Sequence, residues 1–164
     1  MDYRRSAEES VEMKLTPRLL KFIMNLYGPF LGAGIKVDHI SDDWKNIRVS
    51  MRLRWYNRNA VGVHFGGSLY SMADPHLMLM YMQTLGNEYI VWDKAAAIRF
   101  RRPAKGKVCA DFVLTDDDIQ TARTATEKEQ SYEPSHTIDI MDARGVVVAT
   151  IQKDLYIRKK RAAK

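Results

Sequence analysis

The stretch from Asn59 to Lys94 decides most of what this chain can fold into. It opens as a polar loop, narrows to the adjacent glycines Gly66 and Gly67, and continues as a long apolar run broken by Asp74 and Pro75. Leu69, Met72, Ala73, Leu77 and Met80 recur there at helical spacing and fall on one face. The segments on either side read mainly as strand. An apolar helix among strands needs cover around its whole circumference, so the strands are expected to wrap it.

The flanking pattern supports this. Residues 1–14 are highly charged without a period and read as a frayed arm. Thr16 and Pro17 supply an N-cap and a first helical position, followed by Leu19, Leu20, Ile23, Met24 and Tyr27 at helical spacing, with Gly28-Pro29 stopping the run. From Gly34 the period becomes two. Ile35, Val37 and His39 alternate with Lys36, Asp38 and Ile40; after a turn at Ser41–Asp43, Ile47, Val49, Met51, Leu53 and Trp55 alternate with Ser50 and three arginines. Further strands are expected at Tyr89–Trp92, Ala95–Phe100 and Val108–Leu114. Thr115 and three aspartates then open a polar surface helix that runs to about Gln130. A hairpin pairs Thr137–Met141 with Val146–Ile157 around Asp142–Gly145, and the final RKKRAAK reads as a solvated basic tail over 158–164. The sum is one α+β domain of 164 residues, with about six antiparallel strands and one long central helix.

Several classes fall away. A single cysteine, Cys109, permits no internal disulfide and no cysteine zinc cluster, which fits a reducing cytoplasm. The charged N-terminus lacks the apolar core of a secretory leader, and the longest apolar run, Leu77–Met82, is too short to span a bilayer. His39, His64, His76 and His136 show no ligand-like spacing, so no metal is expected. There is no G-x-S-x-G, phosphate-binding loop or dinucleotide fingerprint. The net charge of +6 suits an anionic ligand, although it equally describes a solvated basic face.

Three features carry chemistry. Read forward, Asp74 is an N-cap with Pro75 at the first helical position. The apolar spacing upstream argues instead that the helix has begun by Gly67, which leaves Pro75 inside it, crowding the Ser71 carbonyl and kinking the rod. An interior proline costs about 3 kcal/mol and a lone buried carboxylate several more, and two adjacent penalties suggest a functional site. Gly66 and Gly67 either let backbone N–H groups approach a ligand oxygen or simply make a tight turn. His64, in the loop beside them, is a general base, a hydrogen-bond donor, or neither.

These residues resemble a known family. Asn59 and Gly62, the Gly66-Gly67 pair, Met72-Ala73-Asp74 after it, and the later Ile98, Phe100, Arg102, Pro103, Ala104 and Gly106 look like the signature of hotdog-fold acyl-CoA thioesterases of the phenylacetate-pathway type. The likeness spans about 35–157. HFGGSLYSMADP with YIVWDKAA is closer still to a little-studied bacterial branch of these proteins. The resemblance implies a hotdog fold, a curved antiparallel sheet around the central helix. It implies that Asp74 activates water or attacks the thioester, that N–H groups near Gly67 hold the thioester oxygen, and that the carboxylate acts across a homodimer, alone or paired into a dimer of dimers. In the family a histidine directly precedes the glycine pair. Here Phe65 stands there and His64 lies one residue earlier, so either the loop is re-registered or that role is lost.

The substrate implied is an acyl-CoA or acyl-carrier thioester, with coenzyme A entering as part of the substrate and no separate cofactor. Its phosphates would meet Arg101, Arg102, Lys105 and Lys107. Asn59, Phe65, Gly66 and Tyr70 are the other expected binding residues. The Met-rich helix with Tyr70, Tyr81 and Trp92 suits an acyl chain, as it suits an ordinary core. Rival readings are a hotdog hydratase or dehydratase using His64 and Asp74, and an acyl-CoA-binding module without turnover. Nucleic acid and membrane are not expected partners.

Overall fold

The computed structural model of the chain describes residues 15–160. The expected arm at 1–14 and the last residues of the expected tail, 161–164, lie outside the described residues. Thr16 caps α1 (Pro17–Leu26), accepting a hydrogen bond from the Leu19 amide at 3.2 Å. Gly28 and Pro29 do not end the helical region. After one extended residue, Tyr27, they open a second helix, α2 (Gly28–Ala33), because the fixed φ of proline suits a first turn as well as it blocks an interior.

Six strands follow: β1 (Ile35–Ile40), β2 (Asn46–Arg52), β3 (Tyr89–Phe100), β4 (Lys107–Val113), β5 (Ser135–Asp142) and β6 (Val147–Lys159). They form one antiparallel sheet in the order β1-β2-β4-β5-β6-β3. Four sequence expectations need correction. A bulge between Val37 and His39 turns His39 outward and Ile40 inward. β2 stops at Arg52, leaving Leu53 outside the sheet and Trp55 81% exposed. The two expected strands at 89–92 and 95–100 are one, bulged between Asp93 and Ala95. Arg158 and Lys159 belong to β6 rather than to a solvated tail.

The sheet curves around the central helical segment, which comes in two pieces, α3 (Gly66–Ser71) and α4 (His76–Leu85). Pro75 is therefore not inside a continuous rod. It stands at the N-cap of α4 after a turn at 72–75, and the Asp74–Pro75 bond is cis. Asp74 makes no cap, so neither sequence reading of it holds. The apolar face is nonetheless as expected: Leu69, Met72, Ala73, Leu77 and Met80 are all buried. Inward residues of the strands, among them Val49, Met51, Phe112, Ile140, Ile151 and Leu155, close over it. Thr115 and Asp118 form a capping box at the start of α5 (Asp116–Lys128), the expected polar helix.

The two sheet edges are treated differently. At β1, Lys21 Nζ donates to the Asp38 carbonyl at 2.6 Å, and Asn25 exchanges hydrogen bonds with the Val37 amide and carbonyl at 2.8 and 3.1 Å. Side chains of α1 thus occupy polar groups that would otherwise template another strand. At the other end β3 pairs only with β6. Among the described residues no helix is long and apolar enough to cross a membrane.

His76 lies between Phe30 and Phe112, with ring centroids 5.7 and 4.8 Å away, and burial lowers its pKa to about 3. Between an unfolded value near 6.5 and that folded value, only the unfolded chain takes up the proton, so stability falls as pH drops through this window. At pH 5 the loss from His76 alone is on the order of 2 kcal/mol. Thermal unfolding of His76→Leu is expected to lose correspondingly less between pH 7 and pH 5 than the wild type; equal losses would contradict this.

Candidate functional site

The loop after β2 is tied down from below. Buried Asn57 donates through Nδ2 to the Ala33 and Arg52 carbonyls, both at 2.9 Å, and accepts from the Arg54 amide at 2.7 Å. Asn59 then orders the next turn, its Oδ1 accepting from the Val61 and Val63 amides at 3.1 and 3.2 Å. His64 donates its backbone amide to Ala104 and places Nε2 3.0 Å from the Gly106 carbonyl. A carbonyl only accepts, so Nε2 carries the proton and Nδ1, buried without a partner, holds the lone pair. Burial outweighs the Gly106 hydrogen bond and pushes this imidazole toward its neutral form.

A cleft of about 790 Å³ opens where this loop meets the turn after β3. It is lined by Asn59, His64, Phe65, Gly66, Arg101, Arg102 and Lys105, with Val61, Val63, Leu69, Phe100, Pro103 and Ala104 as its apolar walls. Sequence reasoning placed the first seven in one site, and the fold brings them together. The amides of Arg101 and Arg102 both donate to the Val148 carbonyl, at 2.8 and 3.2 Å, fixing the turn. None of Arg101, Arg102 and Lys105 has a carboxylate partner among the described residues, whereas Lys107 stands 3.7 Å from Asp38.

Gly66 and Gly67 begin α3, and their amides donate to no group among the described residues. A Cβ on Gly66 would lie 2.8 Å from Cζ of Phe100, and one on Gly67 would meet the Phe65 ring. The missing side chains let two phenyl rings close over the turn.

Gly67, Tyr70 and Asp74 do not line this cleft. Asp74 reaches instead to the far strands. Lys153 Nζ, on β6, lies 2.7 Å from Asp74 Oδ1 and 2.9 Å from Oδ2 of Asp93 on β3. The Lys153 side chain is 3% exposed and that of Asp74 is 53% exposed. Burial alone would raise the Asp74 carboxyl, but the hydrogen bond and charge of Lys153, with the neighbouring Asp93 acting in the same direction, hold it below the usual carboxylate value. Burial dominates at Asp93 and raises it, and Asp93 Oδ1 is buried without a partner. For Lys153, burial works against the charge, yet the two carboxylates more than offset it and raise its pKa. The trio sets a cationic Lys153 between two carboxyl groups pushed in opposite directions, Asp74 downward and Asp93 upward.

Sequence reasoning missed Lys153 and Asp93, although the strand phase carries a signal for both. On β6 the inward positions read Ala149, Ile151, Lys153, Leu155 and Ile157; on β3 they read Tyr89, Val91 and Asp93. A charge in the apolar phase of a strand marks an interior partner. The bulge between Asp93 and Ala95 lies directly at the trio. Among the described residues no group of histidine, cysteine and carboxylate side chains is placed to hold a metal.

The sequence matches, over residues 16–157, the family described as DUF4442, a domain of unknown function. None of the curated proteins compared with it matches. Among solved structures, a protein of unknown function from Pseudomonas aeruginosa, described as a probable thioesterase, superposes with TM-score 0.80 at 21% identity, covering 89% of this chain and 97% of its own. A thioesterase from Haemophilus influenzae gives TM-score 0.65 at 16% identity, with 91% and 96% covered. A mutant of the phenylacetic acid degradation protein of Thermus thermophilus gives 0.55 at 19%, with 77% and 96% covered. These likenesses establish the hotdog fold that the resemblance implies.

Proposed function

We propose, for a chain that belongs to the DUF4442 family, that it hydrolyses an acyl-CoA or acyl-carrier thioester. One observation carries the reading: between the buried Ala73 and His76, at the break of the central helix, Asp74 presents an ionised and half-exposed carboxylate held by a buried cation. In this reading Asp74 takes a proton from water or attacks the thioester carbonyl itself. On the first route the water oxygen bonds to the acyl carbon, and on the second water later opens the acyl–Asp74 anhydride; either way the carbon–sulfur bond breaks, the acyl group leaves as a carboxylic acid and the thiolate takes up a proton from water. The unpaired amides of Gly66 and Gly67 face the developing oxyanion. Arg101, Arg102 and Lys105 hold phosphates of the thiol carrier, and the apolar cleft walls receive its uncharged parts.

Asp74 and the cleft are separate within one chain, so the complete site takes them from two copies. The β3 edge supports this arrangement. It is twelve residues long, pairs on one side only, and exposes Trp92, Ala95, Ala97 and Phe100. A long open edge of this kind is suited to pairing with its own copy about a two-fold axis. Light scattering is expected to give at least twice the 18.9 kDa chain mass, as a dimer or a pair of dimers. A monomer would contradict it.

Free-thiol release from a panel of acyl-CoA esters tests the activity. Hydrolysis of at least one ester is expected. Retained CoA binding without thiol release would favour a binding module, and a new double bond in the acyl chain would favour a dehydratase.

A further inference from the structure

The interior lysine of β6 enters the reading above only as the cation beside Asp74, and among the described residues it is the one lysine, arginine or carboxylate side chain that is buried. Lys153 occupies an inward position between Ile151 and Leu155, 2% exposed, and it spends its charge on two carboxylates from two other elements. Removing one partner of a buried ion pair is strongly destabilising, and well-packed apolar residues would serve a core at least as well. Stability therefore does not account for a lysine at this position.

We propose that Lys153 is a positioning residue of the thioester-cleaving site, which anchors Asp74 by one oxygen and keeps it ionised, while Asp93 holds Lys153 in place from the other side. The inference rests on Asp74 being the reactive carboxylate. The geometry gives each member a distinct task. Oδ1 of Asp74 is taken by Lys153 at 2.7 Å, so Oδ2 is the oxygen left for water or the thioester carbonyl. Asp93 Oδ2 draws on the same ammonium at 2.9 Å, so Lys153 is held between two strands and the helix break. The bulge beside Asp93 re-aims that stretch of β3 toward the trio. Burial raises Asp93 while the hydrogen bond from Lys153 lowers Asp74, so the more exposed carboxyl is the more readily ionised of the two.

The other titratable groups around the trio do not compete for this role. His76 from α4 is kept neutral by burial. His136 on β5, paired in register with Lys153, is also pushed toward its neutral form and lies 3.0 Å from the Tyr81 hydroxyl. Lys94 on β3 pairs with Glu133 at 2.6 Å, away from Asp74.

The test combines the wild-type pH–rate profile with the double variant Lys153→Met/Asp93→Asn, which removes one cation and one acid together and so avoids leaving Asp93 as an unpaired buried acid. In the wild type, kcat is expected to stay level from about pH 8 down to about pH 5, because Asp74 titrates below the ordinary carboxylate value near 3.9. In the double variant, kcat is expected to fall by about tenfold to 100-fold with KM within a small factor. Its acid limb should move up by about one to three pH units, a change that a purely structural lysine would not cause. A wild-type acid limb above pH 5 overturns the inference, and this arm decides alone if the double variant does not fold. Hydrolysis lost in Asp74→Asn but unaltered in the double variant overturns this inference and leaves the function standing. Full activity of Asp74→Asn, or no hydrolysis by the wild type, overturns both.

Discussion

Asp74→Asn is expected to lower kcat for thioester hydrolysis by about 100-fold or more, with KM within a small factor. The substitution keeps the shape of the side chain and removes its charge. Asparagine still offers an oxygen to Lys153, and Asp93 still pairs with that ammonium at 2.9 Å, so the buried cation is not abandoned. The loss therefore reads the chemistry rather than the fold, and a variant that still unfolds cooperatively beside the lost rate is the expected signature. Equal activity in the variant would remove Asp74 as the reacting group.

Replacing Arg101, Arg102 and Lys105 together by alanine is expected to raise KM for a CoA ester by at least tenfold while kcat at saturation changes little. A hydrogen bond to a charged group contributes about 1.5–3 kcal/mol, so the loss of even one phosphate contact reaches that size. The three side chains stand at the mouth of an apolar cleft without carboxylate partners among the described residues, which leaves their charge for a ligand. The wild-type KM should rise with added salt, and that dependence should flatten in the triple variant. A KM that ignores both the salt and the substitutions would place the carrier elsewhere.

The fold was legible because its strongest signals are local and periodic. Alternation in β2, β4 and β6, the cap at Thr16 and the capping box at Thr115 each specify one conformation and agree with the neighbours. What misled were positions where a single residue shifts the phase. The bulge after Val37 reversed the facing of His39, and the break at 72–75 replaced an expected kink by two helices while keeping the same apolar face buried. The cleft residues were legible from motif and loop position together. Lys153 and Asp93 were not, because they are far from Asp74 in sequence and look ordinary unless strand phase is read for charge as well as for apolarity. His64 shows a further limit: only the fold reveals that its proton is committed to the Gly106 carbonyl.

The claim that joins these observations is that Asp74 of one copy and the cleft of another form one hydrolytic centre. Subunit mixing tests it most directly. Asp74→Asn and the Arg101/Arg102/Lys105→Ala variant, each poorly active at low substrate, are unfolded together and refolded as mixed dimers. Each mixed dimer then carries one intact site, and random two-fold pairing should restore about one quarter of the wild-type rate. Activity no higher than the average of the two parents, with mixed dimers shown to be present, would contradict the shared site.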